Sequence, residues 1–201
     1  MKHRSLSLVV LLFVVAALPL SASQFIDQPF DVTARGASLI VRGQVVDSFS
    51  AWDSAREVIY TYSTVRVTRY FGETTGPDTL VVRNVGGTLD GYRQEAIGFP
   101  ELRNNEHVVL MLERTADGAD YSIRAYNQGK YLVRQRGGVE VLVSDPVKQG
   151  DERLHVTSPR FQLGTDAIGD DVPALGLDEF ARMVDDARVG AHGPSTRNQQ
   201  Q

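Results

Sequence analysis

VIYTYSTVRVTRY, residues 58–70, alternates without a break. Ile59, Thr61, Ser63, Val65 and Val67 fall on one side of an extended chain. Tyr60, Tyr62, Thr64, Arg66 and Thr68 fall on the other, because side chains along a strand alternate with period two. The segment before it, SLIVRGQVVDS (residues 38–48), is rich in β-branched residues and reads as a second strand. Pairing the two antiparallel fixes a register, since a slip by one residue would turn every core side chain to solvent. Phe49 to Glu57, between them, mixes Ser, Trp, Asp and Arg and reads as a long hairpin loop with Trp52 and Asp53 at its tip.

Downstream the pattern repeats. Gly72 to Asp78 is a turn by composition, and TLVVRNV (residues 79–85) is a strand that Gly86 and Gly87 break. Leu89 to Gly98 predicts a further strand, strongest at Ala96 to Gly98. His107 to Glu113 (HVVLMLE) is apolar on both faces, as in a strand covered on both sides. Asp117-Gly118 predicts a hairpin turn into Tyr121–Tyr126, and Gly137-Gly138 a tighter one between Lys130–Gln135 and Val139–Val143. Strand runs at this spacing with Gly-rich turns are those of a sandwich or small barrel. Asp145 to Asp171 is loop-like apart from a strand near Phe161–Leu163. The period then changes: Leu177, Phe180, Val184 and Ala187 fall on one helical face, with Asp178 and Glu179 in the first turn and Arg188 in the last, so Leu177–Val189 is predicted helical and packed on the barrel.

The N-terminus has a different character. Lys2, His3 and Arg4 precede an apolar run closed by Pro19, and Ser21-Ala22-Ser23 supplies the small residues of a signal-peptidase site. The run is shorter than the ~20 residues a membrane span needs. Residues 1–23 are therefore expected to be a cleaved signal peptide, 24–189 one β-barrel domain and 190–201 a disordered tail. The expected location is periplasmic or secreted, with no stable membrane insertion after cleavage.

Charge and composition narrow the chemistry. The chain is mildly acidic, with net charge −4, and the signal peptide carries no acid, so the mature protein is more acidic still. That argues against nucleic acid, which calls for a basic footprint. The sequence contains no cysteine, which removes thiol catalysis, thiolate zinc and disulfide staples. His107, His155 and His192 are scattered, with no metal-ligand spacing and no H-E-x-x-H. No G-x-S-x-G nucleophile turn occurs. Asp170-Asp171 and Asp185-Asp186 lack the calcium-loop pattern. Lys130, Arg134 and Arg136 share a strand face with Leu132 and read as a solvated basic stripe. No cofactor, metal or catalytic residue is expected.

SLIVRGQVV (38–46), then VIYTYSTVRV and Tyr70-Phe71-Gly72, resemble two groups of proteins. One is a family of uncharacterised exported bacterial proteins that shares Gly86-Gly87 and Gln128-Gly129-Lys130-Tyr131, a similarity spanning residues 30–145. The other, over the first two strands only, is the netrin-like N-terminal domain of tissue inhibitors of metalloproteinases. Both resemblances imply a five-stranded OB-type barrel. The inhibitors chelate their target's zinc through an N-terminal cysteine, which this chain lacks, so that mechanism does not transfer.

The expected fold is thus mainly β: an OB-like (netrin-like) antiparallel barrel with additional strands and a C-terminal helix. The expected role is non-catalytic binding of a protein partner outside the cytoplasm, an extracytoplasmic protease being one such partner. The contact residues would be Trp52, Asp53, Phe25 and Phe30, on the Gln24–Thr33 segment and the Ser48–Glu57 loop; for Trp52 the equal alternative is a ring folded back to cover one end of the barrel. The alternatives are an enzyme with a loop-built site and a structural envelope-associated protein.

Overall fold

The computed structural model describes residues 28–72, 74–96, 98–145 and 173–189. The segment expected to be a signal peptide, Phe25, His155, His192, the strand expected near Phe161–Leu163, the Asp170-Asp171 pair and residues 190–201 all lie outside them. The elements are α1 (Phe30–Gly36), β1 (Leu39–Trp52), β2 (Ile59–Tyr70), β3 (Thr79–Val85), β4 (Gly87–Leu89), β5 (Tyr92–Gln94), β6 (His107–Arg114), β7 (Tyr121–Ile123), β8 (Lys130–Arg136), β9 (Val139–Ser144), β10 (Leu175–Gly176) and α2 (Leu177–Val189).

The predicted β1–β2 hairpin forms, with Val45 opposite Val65 and Trp52 opposite Ile59. β2 pairs antiparallel with β3, β3 meets β7 in parallel, β7 pairs with β6, and β6 returns to β1, closing a five-stranded barrel. One strand serving two neighbours must bend sharply. β1 does so at register shifts between Arg42 and Gly43 and between Val45 and Asp47, since an extra residue in one strand kinks and twists it. Gly43 is required at that bend: a Cβ there would lie 2.6 Å from the Arg66 carbonyl oxygen.

β6 keeps the reading its sequence gives. Val108, Leu110 and Leu112 point into the barrel with Val41, Val45, Val65, Leu80 and Val82. Val109 and Met111 point the other way, into a second core. β8 and β9 leave the barrel beside β6 and extend the sheet to β10. The second core lies between this extension and the two helices. Phe180 is its hub, with its ring edge-on to Phe30 (5.5 Å), Phe71 (5.3 Å) and Tyr131 (5.4 Å). Burial raises the Tyr131 phenol well above its ordinary pKa. α2 spans the predicted residues and buries Phe180, Val184 and Ala187. Arg188, in its last turn, donates to the carbonyls of Gly72 (2.9 Å) and Ala37 (3.1 Å), which ties α2 to the ends of β2 and α1.

Three expectations are corrected. The first loop is shorter than Phe49–Glu57: β1 continues to Trp52 because Asp53 closes the turn, its Oδ1 accepting from the Glu57 and Val58 N–H groups at 2.7 and 3.1 Å. Residues Leu89–Gly98 do not form one strand. β4 and β5 make a separate hairpin around Asp90-Gly91, and Ala96 and Gly98 lie in the following loop. Tyr121–Tyr126 breaks at Ile123, because Ala125 and Tyr126 both adopt positive φ (55° and 56°) and lead into a short 3₁₀ turn, Tyr126–Gly129.

Candidate functional site

The β1–β2 hairpin presents two different faces. Alternation sends Phe49, Ala51, Tyr60 and Tyr62 outward and Ser48, Ser50, Thr61 and Ser63 toward the barrel axis.

On the outer face Phe49 lies opposite Tyr62, their rings stacked at 5.2 Å with an interplanar angle of 13°. Phe49 remains 57% exposed. Arg83, from β3, lies over the Tyr60 ring at 5.1 Å and pairs with Asp117 at 2.9 Å. Asp117 also accepts from the Thr115 hydroxyl (2.7 Å) and the Ala119 N–H (3.1 Å). These contacts, the Thr115 hydrogen bond first and the Arg83 pairing after it, lower its carboxyl from 3.8 to about 2.

On the inner face the barrel changes from apolar to polar. Beyond Val65 and Val82 come Ser63, Thr61 and Asn84, which line a cleft of about 760 Å³ at the barrel mouth with Ser50, Gln94 at the end of β5 and the 98–103 loop. Gly87 lets the chain fold over this end: its φ is +148°, and a Cβ would meet the Ser50 and Thr61 hydroxyls at 2.5 and 2.6 Å. Asn84 is 8% exposed. Its Nδ2 donates to the Pro100 carbonyl at 2.8 Å, which fixes the amide, while its Oδ1 has no hydrogen-bond partner among the described residues. A buried orphan acceptor costs about 1–3 kcal/mol.

The cleft rim is held at a cost as well. Ala125 and Tyr126, neither a glycine, sit in the left-handed region, at roughly 1–2 kcal/mol each. This turn sets the Tyr126 ring edge-on to Phe99 (4.8 Å) and lets the Asn127 N–H donate to the Gly98 carbonyl (3.1 Å). Below the rim Lys130 is 1% exposed. Its ammonium contacts Glu106 and Asp145, each at 2.9 Å, and donates to the Glu101 carbonyl. The solvated basic stripe expected around Lys130 is therefore incorrect for that residue. It begins β8 beneath the cleft loop, where two carboxylates neutralise it.

Of the expected contact residues, the three that are described, Phe30, Trp52 and Asp53, do not form one surface. Phe30 is committed to the second core against Phe180. Trp52 ends β1, on the order of 40 Å of strand from the α1 end. It is half-buried: its Nε1 donates to Asp90 at 3.3 Å, and its ring stands edge-on to Tyr92 at 5.8 Å. Asp53 is spent on closing its turn. His107 is exposed at the start of β6. Among the described residues no group of three or more His, Asp or Glu is placed to hold a metal ion, and no helix is long and apolar enough to cross a membrane. The sequence reading missed Phe49, Asn84 and Lys130. Phe49 had a signal, being one residue beyond a strong strand and in phase with Tyr62.

Comparison with known proteins finds no match: no family model fits the chain, and neither a curated protein nor a solved structure is significantly similar to it.

Proposed function

We propose that this chain is an exported, non-catalytic binding protein that engages a protein partner through the outer face of the β1–β2 hairpin. The observation that carries the reading is the stacked Phe49–Tyr62 pair with Phe49 57% exposed. Large aromatic rings and arginine are enriched where proteins meet, and Arg83 over Tyr60 extends the patch across β3. The contact centre thus moves from Trp52, which the β4–β5 hairpin occupies, to Phe49. The inhibitor resemblance makes an extracytoplasmic protease the partner class to try first, bound by this face and not by chelation.

The test places a photo-crosslinking phenylalanine at position 49 in the expressed protein and irradiates the exported fraction. The control places it at Val139, which is 63% exposed on β9. The reading expects one protein adduct at position 49 that is absent at 139, and at least tenfold weaker binding of that partner by Phe49→Ala, as for a central aromatic anchor. Equal adducts at both positions, or full affinity in Phe49→Ala, would refute it.

A further inference from the structure

We propose that the polar barrel mouth is a separate binding site for a neutral, polyhydroxylated ligand of mono- or disaccharide size. Asn84 supplies the first argument. It is more than nine-tenths buried, lines the cleft, and has its amide held by Pro100, so Oδ1 is a fixed acceptor that lacks a donor. A ligand hydroxyl is such a donor. Beside it, Ser63 carries a hydroxyl that can both give and accept hydrogen bonds, while the Thr61 hydroxyl donates to the Gly86 carbonyl (2.7 Å) and accepts from Ser50 (3.2 Å), which leaves Ser50 and Thr61 to offer acceptor lone pairs.

The charges argue for neutrality. Arg93 is paired with Glu95 (2.6 Å), Arg103 with Glu101 (3.5 Å) and Asp145 with Lys130 (2.9 Å). Each charged group that lines the cleft is thus paired, and the one net negative charge sits in the Glu106–Lys130–Asp145 cluster, where the buried ammonium is shared by both carboxylates, so the cleft offers a ligand hydrogen bonds more than net attraction. A sugar also has an apolar C–H face, and Phe99, Pro100 and Leu102 supply an apolar wall. The volume of about 760 Å³ falls within the range of small-ligand sites, roughly 300–1,000 Å³. The left-handed Ala125–Tyr126 corner is the third observation. Backbone strain persists where the surroundings enforce it and clusters at ligand clamps, and this corner fixes the Phe99 ring and the Gly98 carbonyl at the rim.

The experiment titrates the ¹⁵N-labelled protein with glucose, N-acetylglucosamine, maltose, cellobiose and chitobiose. Glucosamine, glucuronate and the capped peptide acetyl-tetra-alanine-amide are the comparators. At least one neutral saccharide should shift the Asn84 side-chain amide and the Gly87 and Asn127 backbone amides, with a Kd of about 1 mM or tighter. Glucosamine and glucuronate should bind more weakly than that saccharide. Ser63→Ala, which removes one oxygen and no carbon, should weaken binding at least tenfold, as should Asn84→Leu. Phe49→Ala should leave saccharide binding unchanged, which separates this site from the protein-binding face. The proposal is overturned if none of the five saccharides moves these resonances. It is equally overturned if Ser63→Ala binds like wild type, or if the peptide or a charged sugar occupies the cleft in preference.

Discussion

Lys130→Met keeps the length of the side chain and removes its charge. In the wild-type protein the ammonium faces Glu106, whose side chain is 11% exposed, and Asp145, which is 20% exposed. Removing one member of a buried ion pair costs about 3–5 kcal/mol, because the partner charge stays behind without compensation. The lost bond to the Glu101 carbonyl adds to this, and the residual hydration of Asp145 subtracts. About 3–5 kcal/mol is therefore the expected destabilisation at pH 7. In a domain of this size that corresponds to a fall in Tm of roughly 6–20 °C. Urea unfolding followed by far-UV circular dichroism reads the change as a shift of midpoint at constant slope. A second variant isolates the cause. Lys130→Met combined with Glu106→Gln and Asp145→Asn carries no buried charge and should regain most of the loss. A single variant within about 1 kcal/mol of wild type would refute the reasoning. A triple variant less stable than the single one would refute it too.

Phe180→Ala should cost about 3–5 kcal/mol, since the ring is fully buried and three aromatic neighbours lose their edge-to-face partner; a midpoint unchanged in urea would remove Phe180 from the core. Asp117 should titrate near pH 2 by carboxyl NMR, and Thr115→Val should return its midpoint toward 3.8. The folded-state value lies below the unfolded one, so the stability Asp117 contributes is fully present above about pH 4 and is lost as pH falls toward 2. A wild-type Asp117 midpoint at its ordinary value would show that these contacts do not hold the carboxylate.

The elements with long repeating patterns were legible in the sequence. The alternation through Val58–Tyr70 located β2 and its pairing with β1. The doubly apolar HVVLMLE located a strand between two cores, and the spacing of Phe180, Val184 and Ala187 located α2 to the residue. The β4–β5 hairpin was less legible because strands of three residues show no period, although Asp90-Gly91 is a strong turn pair. The candidate sites were obscured for another reason. Lys130 on an alternating strand reads as exposed, and nothing local marks Glu106, 24 positions earlier, as its partner. Asn84 sits at an inward position of β3 where an apolar residue would read as core. Its polarity becomes informative only once the 98–103 loop is known to cross that end of the barrel. Trp52 was misplaced because the Asp53 turn extends the ladder four pairs beyond Ser48, further than composition indicates.

Val108 to Leu112 leave no backbone or side chain at a solvent boundary, and all five residues have zero exposure. β6 is therefore common property of the barrel and of the helix-covered layer, and neither can melt and leave the other intact. Thermal unfolding should show a single calorimetric transition despite the two cores, with the calorimetric and van 't Hoff enthalpies equal. The amides of this strand should exchange with deuterium only through global opening, at the slowest rate in the molecule. Damage at the α2 end, far from the barrel mouth, would accordingly appear as a higher opening frequency at Leu110, on the opposite face of the same strand.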